Sequence, residues 1–254
     1  MTIPLQNSVV YGPVSSRRLG RSLGLNILPV DTKFCLSDCL YCQYGRTDPA
    51  LMKGIRLPQA AELLGEIERE FSRLAHAHES VDSITFSGNG EPTLHPEFPK
   101  LVEEVKKLRD RYFPGAPVSI LSDSTQIRRP EIRTALSKLD IRYMKLDAGD
   151  QAMYEALDHV FAKITLAQVI EHLKLIPDVI IQSLFVSAPA DNACAEAVAK
   201  WIRAIGRIGP KSVHIYTIAR STAVPSVRAV PKARLEEIAR ELLAETGIPS
   251  IVFE

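Results

Sequence analysis

Three cysteines crowd into eight positions, Cys35-Leu36-Ser37-Asp38-Cys39-Leu40-Tyr41-Cys42, separated by three and two residues. Thiolates are soft ligands, and such close spacing in a chain with four cysteines argues for a metal rather than a disulfide. A structural zinc site takes four protein ligands and a cysteine-bound iron-sulfur cluster usually does too, whereas only three are local here. Spacing alone leaves two readings open. One is an iron-sulfur centre with a free metal position, and the other is a zinc knuckle completed by His95 or Cys194.

Other stretches could serve such a centre. In Ser87-Gly88-Asn89-Gly90-Glu91-Pro92-Thr93 the glycines free the backbone to approach a ligand and a carboxylate stands at the tip; an ordinary strand-to-helix turn reads the same way. Ser122-Asp123-Ser124-Thr125 gathers short polar side chains, as an Asx or Ser turn also would. Tyr143, Lys145 and Asp147 alternate with Met144 and Leu146, so the apolar pair should face helices and the polar trio should face inward. The same alternation turns Asn26, Thr85, Ser87, His214 and Tyr216 inward. A barrel interior built for stability would hold Val, Ile and Leu, so these polar groups predict a ligand-filled cavity. Lys145, His214 and Tyr216 are its candidate catalytic residues. Lys145 has two readings: an ion pair with Asp147 or a cofactor carboxylate, or, if desolvated, an amine nucleophilic toward a carbonyl. Near the N-terminus, Arg17, Arg18 and Arg21 meet no acidic residue before Asp31, which fits a solvated arm or an anion contact. Cys194, Met144, Met153 and Trp201 are economically explained as packing residues, and His76, His78, His159 and His172 lack partner spacing.

The elements that must position these groups alternate along the chain. Residues 1–22 read as an irregular arm punctuated by Gly12-Pro13 and Gly20. Strand patterns follow at 22–28, 82–87, 118–122, 142–147, 179–186 and 212–218. Helical spacing appears after Pro58, from Phe98, near 130–138 and 165–175, over 192–207 and from Pro231, with a short apolar tail at 251–253. Six strand-helix units imply a parallel sheet with helices outside and no linker between domains. The expected architecture is α/β, a single domain over 1–254, with arm 1–22 and a (β/α)6 partial TIM barrel over 23–254. Chemistry in such barrels sits at the C-terminal strand ends.

Composition bounds the partners. Lys plus Arg is 31 against 30 for Asp plus Glu, so no global field recruits nucleic acid, and any such partner must use a local patch. At 46% hydrophobic residues the chain can bury a substantial core. Clustered cysteines fit a reducing compartment, and the absence of a leader or an apolar run near 18 residues makes the cytoplasm, with no membrane partner, the expected location.

The C-x3-C-x2-C loop with Tyr41 before its last cysteine resembles the signature of the radical SAM superfamily, and Tyr11 to Asn26 resembles the opening of the subgroup related to wybutosine-type iron-sulfur oxidoreductases. The resemblance runs from Tyr11 to about Arg220. It implies a (β/α)6 radical SAM core in which Cys35, Cys39 and Cys42 hold a [4Fe-4S] cluster. S-adenosylmethionine would chelate the fourth iron and be cleaved reductively to a 5′-deoxyadenosyl radical that abstracts hydrogen from a substrate. Gly88, Asn89, Gly90 and Glu91 would correspond to the family's GGE motif, which bonds the methionine amino group, with Asn89 departing from the usual glycine. Ser122, Asp123 and Ser124 would face the ribose, with Tyr41 and Asp147 also beside the cofactor. A flavodoxin or ferredoxin would supply electrons. The subgroup suggests tRNA, reached through Arg17, Arg18 and Arg21, but the additional cysteines of archaeal wybutosine-type enzymes are absent, so a small molecule or peptide is an equal expectation. The alternative from another class is a non-catalytic iron-sulfur or zinc module for redox sensing or interaction.

Overall fold

The structure is a computed structural model and describes residues 2–253. Strands β1 (Val10–Ser16) and β2 (Gly20–Leu25) form an antiparallel hairpin. From β2 the sheet runs in parallel through β3 (Ser83–Phe86), β4 (Val118–Ser122), β5 (Ile141–Lys145), β6 (Ile180–Ser187) and β7 (Ser212–Thr217). A two-residue strand β8 (Arg228–Ala229) pairs antiparallel with β6, and β9 (Ser250–Phe253) extends the main sheet parallel to β7. The chain order of β2 to β7 is also their spatial order, so the sheet curls into a half-barrel.

Helices α1 (Ala60–His76), α2 (Phe98–Tyr112) and α3 (Pro130–Ser137) connect β2 to β5. Two short helices, α4 (Gln151–Asp158) and α5 (Leu166–Leu173), join β5 to β6, and α6 (Ala195–Ile208) and α7 (Lys232–Thr246) complete the outer layer. The helices form where apolar residues recur on one face. In α1, Leu63, Ile67, Phe71 and Leu74 are buried, each stabilising by roughly 1.5–3 kcal/mol, and Gln59 and Glu62 close a capping box at its start. Against this face lie the outward sides of the strands, including Leu23, Leu25, Ile84, Phe86 and Ile120.

The inward sides are polar. Ser22, Thr85 and Ser119 stand side by side on β2, β3 and β4, joined by hydroxyl bonds of 2.9 Å each. Such a run would be costly in a core made for packing, because each buried hydroxyl needs a partner.

Three elements differ from the sequence reading. The arm is not irregular: β1 covers the edge of β2, the Gly12-Pro13 break lies in a register shift between Tyr11 and Val14, and β2 begins at Gly20. Proline is tolerated there because an edge strand can forgo ladder bonds. Helix α4 lay in the stretch left between the fifth helix pattern and β5, and the tail at 251–253 is a sheet strand. No helix among the described residues is long and apolar enough to cross a membrane.

Candidate active site

The cysteine loop follows β2 and is fastened on three sides by backbone bonds. Asp38 and Leu40 donate to the carbonyls of Asp158 and Leu157 at the end of α4, both at 2.9 Å. Ala223 and Val224, beyond β7, donate to Cys42 and Leu40 at 3.0 and 3.1 Å. Phe34 donates to Asn89 and accepts from Glu91, a bridge that seats the loop on the glycine turn after β3. Gly90 is required at that bridge. Its φ is +147°, and a Cβ there would come within 1.8 Å of the Phe34 carbonyl oxygen.

The thiols are placed to hold a metal group. Cys35 is buried, and burial pushes the Cys35 and Cys39 thiols well up, so as thiolates they call for a cationic centre. Among the described residues no three His, Cys, Asp or Glu side chains are close enough together to hold one ion. Neither proposed completion of a zinc knuckle is available. His95 uses one ring nitrogen on the Pro58 carbonyl, at 2.8 Å, and the other to accept from the Glu97 amide, while Cys194 is exposed at the start of α6.

Glu91 is the buried carboxylate of the site. It accepts from the Thr93 amide at 3.0 Å, the Ser122 hydroxyl at 2.9 Å, the Thr93 hydroxyl and the Asp123 amide. Burial raises its pKa well above the usual carboxylate range and Asp123 adds to this, while the hydrogen bonds oppose them. Asp123 in turn accepts from Ser37 at 2.9 Å and lies 3.6 Å from the Cys35 sulfur, tying the end of β4 to the cysteine loop.

A second charged group sits under Cys39. Lys145 lies 3.5 Å from its sulfur, 3.2 Å from Asp147 and against Asp158, which it also pairs with. Burial alone would lower the Lys145 pKa; Asp158, Cys39 and Asp147 together raise it well above its ordinary value. The geometry around Lys145 is that of the ion-pair reading, with two carboxylates against its ammonium nitrogen. Asp147 also accepts from the Tyr41 hydroxyl and from the Leu184 amide at 2.8 Å.

Several candidates are brought together: the three cysteines, Tyr41, Glu91, Ser122, Asp123, Lys145 and Asp147. Others take different places. The Asn89 side chain bonds Gln6 and Pro29, the Ser124 hydroxyl is fully buried and donates to the Lys145 carbonyl, and Gly88 packs on Asn26. His214 lies between the rings of Tyr143 and Phe253, 5.3 and 4.9 Å away, and burial, then Arg18, lowers its pKa to about 4. It is neutral at pH 7 and does not line the cavity, whereas Tyr216 does. Asp158 and Ser37 were missed. Both act through contacts with distant elements, and the one local signal for Asp158 was the Asp150 N-cap that starts α4, whose carboxylate accepts from Met153 at 2.8 Å.

A cavity of about 470 Å³ opens beside this site. Tyr41 and Cys42 form one wall, Thr85, Ser87 and Leu184 the interior of the half-barrel, and the β1–β2 hairpin the opposite side.

A half-barrel with a three-cysteine loop at its strand ends and a cavity beneath defines a class of metal-cluster enzymes. Residues 30–188, more than half of the chain, match the Radical SAM superfamily, and the chain belongs to it. A UPF0026 protein of Methanocaldococcus jannaschii is 32% identical over 164 residues, 65% of this chain and 48% of that protein. This chain thus spans about half the length of that relative. In fold it is similar to Streptococcus suis SuiB bound to S-adenosylmethionine, with TM-score 0.64, 15% identity and coverage of 91% of this chain and 50% of that one. It is also similar to TYW1 with a lysine-pyruvate adduct bound, with TM-score 0.60, 13% identity and coverage of 89% and 74%.

Proposed function

We propose that this radical SAM enzyme holds a [4Fe-4S] cluster on Cys35, Cys39 and Cys42, binds S-adenosylmethionine beside Glu91, and takes hydrogen from a substrate in the adjoining cavity. When bound, the cluster would supply the electron that splits the sulfonium and yields a 5′-deoxyadenosyl radical. The observation that carries the reading is the cysteine loop itself, pinned between α4, the glycine turn and the segment after β7, with a buried carboxylate on one side and a cavity on the other.

The protein's own groups have separable tasks. Glu91 offers a water-poor carboxyl group that an incoming ammonium group would hold in its charged form, kept in place by Thr93, Ser122 and the Asp123 amide. Lys145 balances the charge of the Cys39 thiolate while Asp147 and Asp158 hold it in place. Tyr41, anchored on Asp147, forms the cavity wall beside Cys42. Low-dielectric surroundings of this kind protect a radical from side reactions. A flavodoxin or ferredoxin is the reductant proposed. For the substrate, tRNA and a small molecule or peptide are both proposed. Arg21 contributes to neither through the cavity, since it pairs with Glu79 on the outer surface at 2.7 Å.

The test is anaerobic reconstitution. The chain should take up about four irons and a matching amount of sulfide with a broad visible absorbance, and Cys39→Ala should lose them. A stoichiometric colourless zinc site retained under the same treatment contradicts the reading.

A further inference from the structure

Among the described residues, the cavity wall carries three arginines, Arg17, Arg18 and Arg220, and no aspartate or glutamate. Charged side chains facing a cavity ordinarily find a counter-charge within the fold, because an unpaired cation away from water is costly. Among the described residues Arg18 has none. From the turn before β2 its guanidinium reaches across the open side of the half-barrel and stacks on Tyr216 of β7, 4.4 Å from the ring centroid. Its Nη1 is buried with no hydrogen-bond partner, although a guanidinium has five donors to place. Arg220, across the rim, meets only the neutral Gln43 side chain, at 3.4 Å, and Arg17 and Arg220 are exposed. Contact with Tyr216 holds the fork of Arg18 rigid while its Nη1 stays without a partner, an arrangement suited to a planar or tetrahedral oxyanion.

We infer that the cavity is an anion subsite: its substrate carries a carboxylate or phosphate group that is bound by the donors of Arg18, with Arg17 and Arg220 adding charge at the rim. This rests on the cavity being the substrate site of the proposed enzyme. It narrows the substrate to an acid or phosphate ester and excludes neutral and cationic molecules. Glu91 and Asp123, assigned to S-adenosylmethionine, do not line the cavity, and Tyr41 and Cys42 form its border with that region.

The experiment uses reconstituted holoprotein with S-adenosylmethionine present, titrated separately with inorganic phosphate and with acetate. Binding is followed by calorimetry, and in parallel phenylglyoxal labelling with peptide mass mapping reads the protection of each arginine. One of the two anions should bind saturably and protect Arg18 while leaving Arg21 labelled as before. Arg18→Gln should weaken that binding by about tenfold or more, the loss expected for a charge-assisted hydrogen bond, with Arg18→Lys intermediate. Protection by phosphate assigns the phosphate class and protection by acetate the carboxylate class. Absence of saturable binding by either anion, or anion binding that leaves Arg18 as reactive as before, overturns the subsite. So does a loss of S-adenosylmethionine binding in Arg18→Gln, which would make the arginine a partner of the cofactor carboxylate. Labelling of the unmutated protein decides the matter even if a variant folds poorly. Iron content and S-adenosylmethionine binding on the same preparation report separately on the enzyme reading.

Discussion

Glu91 and His214 show how differently two inward-facing ionisable residues are used. Glu91 accepts from two backbone amides and two hydroxyls, so removing it leaves buried donors unpaired as well as deleting a charge, at about 1–3 kcal/mol for each orphaned group. Glu91→Gln keeps the shape and loses the charge. It should retain iron at the level of the unmutated chain while weakening S-adenosylmethionine binding by about tenfold in calorimetry, as loss of a charge-assisted contact requires. Unchanged affinity would remove Glu91 from the cofactor site. His214 is buried between aromatic rings and beside Arg18, and its pKa falls from 6.5 to about 4. The unfolded chain therefore binds a proton that the folded chain refuses between these values, so stability is full above pH 6.5 and is lost as pH falls toward 4. Urea unfolding across that range should show the slope, and His214→Gln should flatten it. His214 was legible in sequence as inward-facing, and Glu91 as the carboxylate at the tip of a glycine turn. What sequence could not supply was that His214 ends in a ring stack and not on the cavity, because alternation gives a side of the sheet but not the depth of a side chain in the barrel.

At the scale of elements, the glycine turn and α4 act on one loop. Gly90 lets the turn approach the Phe34 carbonyl with a φ that is costly for other residues. Gly90→Ala should destabilise the fold by about 2 kcal/mol or more and lower the iron taken up on reconstitution, since the clash is with backbone that cannot swing away. Wild-type iron content and an unchanged urea midpoint would show that the bridge does not set the loop. Helix α4 presents two carbonyls to the loop, and its last residue, Asp158, pairs with Lys145. Asp150→Ala removes the N-cap bond to Met153 and the 2.8 Å pair with Lys200, and should cost about 1 kcal/mol in thermal or urea unfolding. The long helices and the parallel strands could be read from apolar periodicity. Helix α4 could not, since its buried face, Tyr154, Leu157 and Asp158, holds a single aliphatic residue, and β1 could not, since its serines, glycine and proline look like punctuation until β2 is there to pair with.

On the scale of the whole molecule, the fold is a curled parallel sheet whose outward faces are apolar and whose interior is lined with hydroxyls, phenols and three arginines. That division assigns stability to the helix-facing layer and chemistry to the interior. The order of the cysteine loop, the glycine-glutamate turn and the inward lysine was visible in sequence because the first two follow strands and the third ends one. Their convergence was not, because it depends on strands whose paired residues lie 61, 34 and 22 positions apart coming side by side in turn. The account stands on one claim, that this convergence is a site for reductive cleavage of S-adenosylmethionine. The direct measurement is to reduce the anaerobically reconstituted chain with dithionite in the presence of S-adenosylmethionine and quantify 5′-deoxyadenosine and methionine. The account predicts that both form in equal amounts in the unmutated protein and that neither forms in Cys39→Ala. Their absence from a preparation shown to contain the intact cluster and to bind S-adenosylmethionine would contradict it.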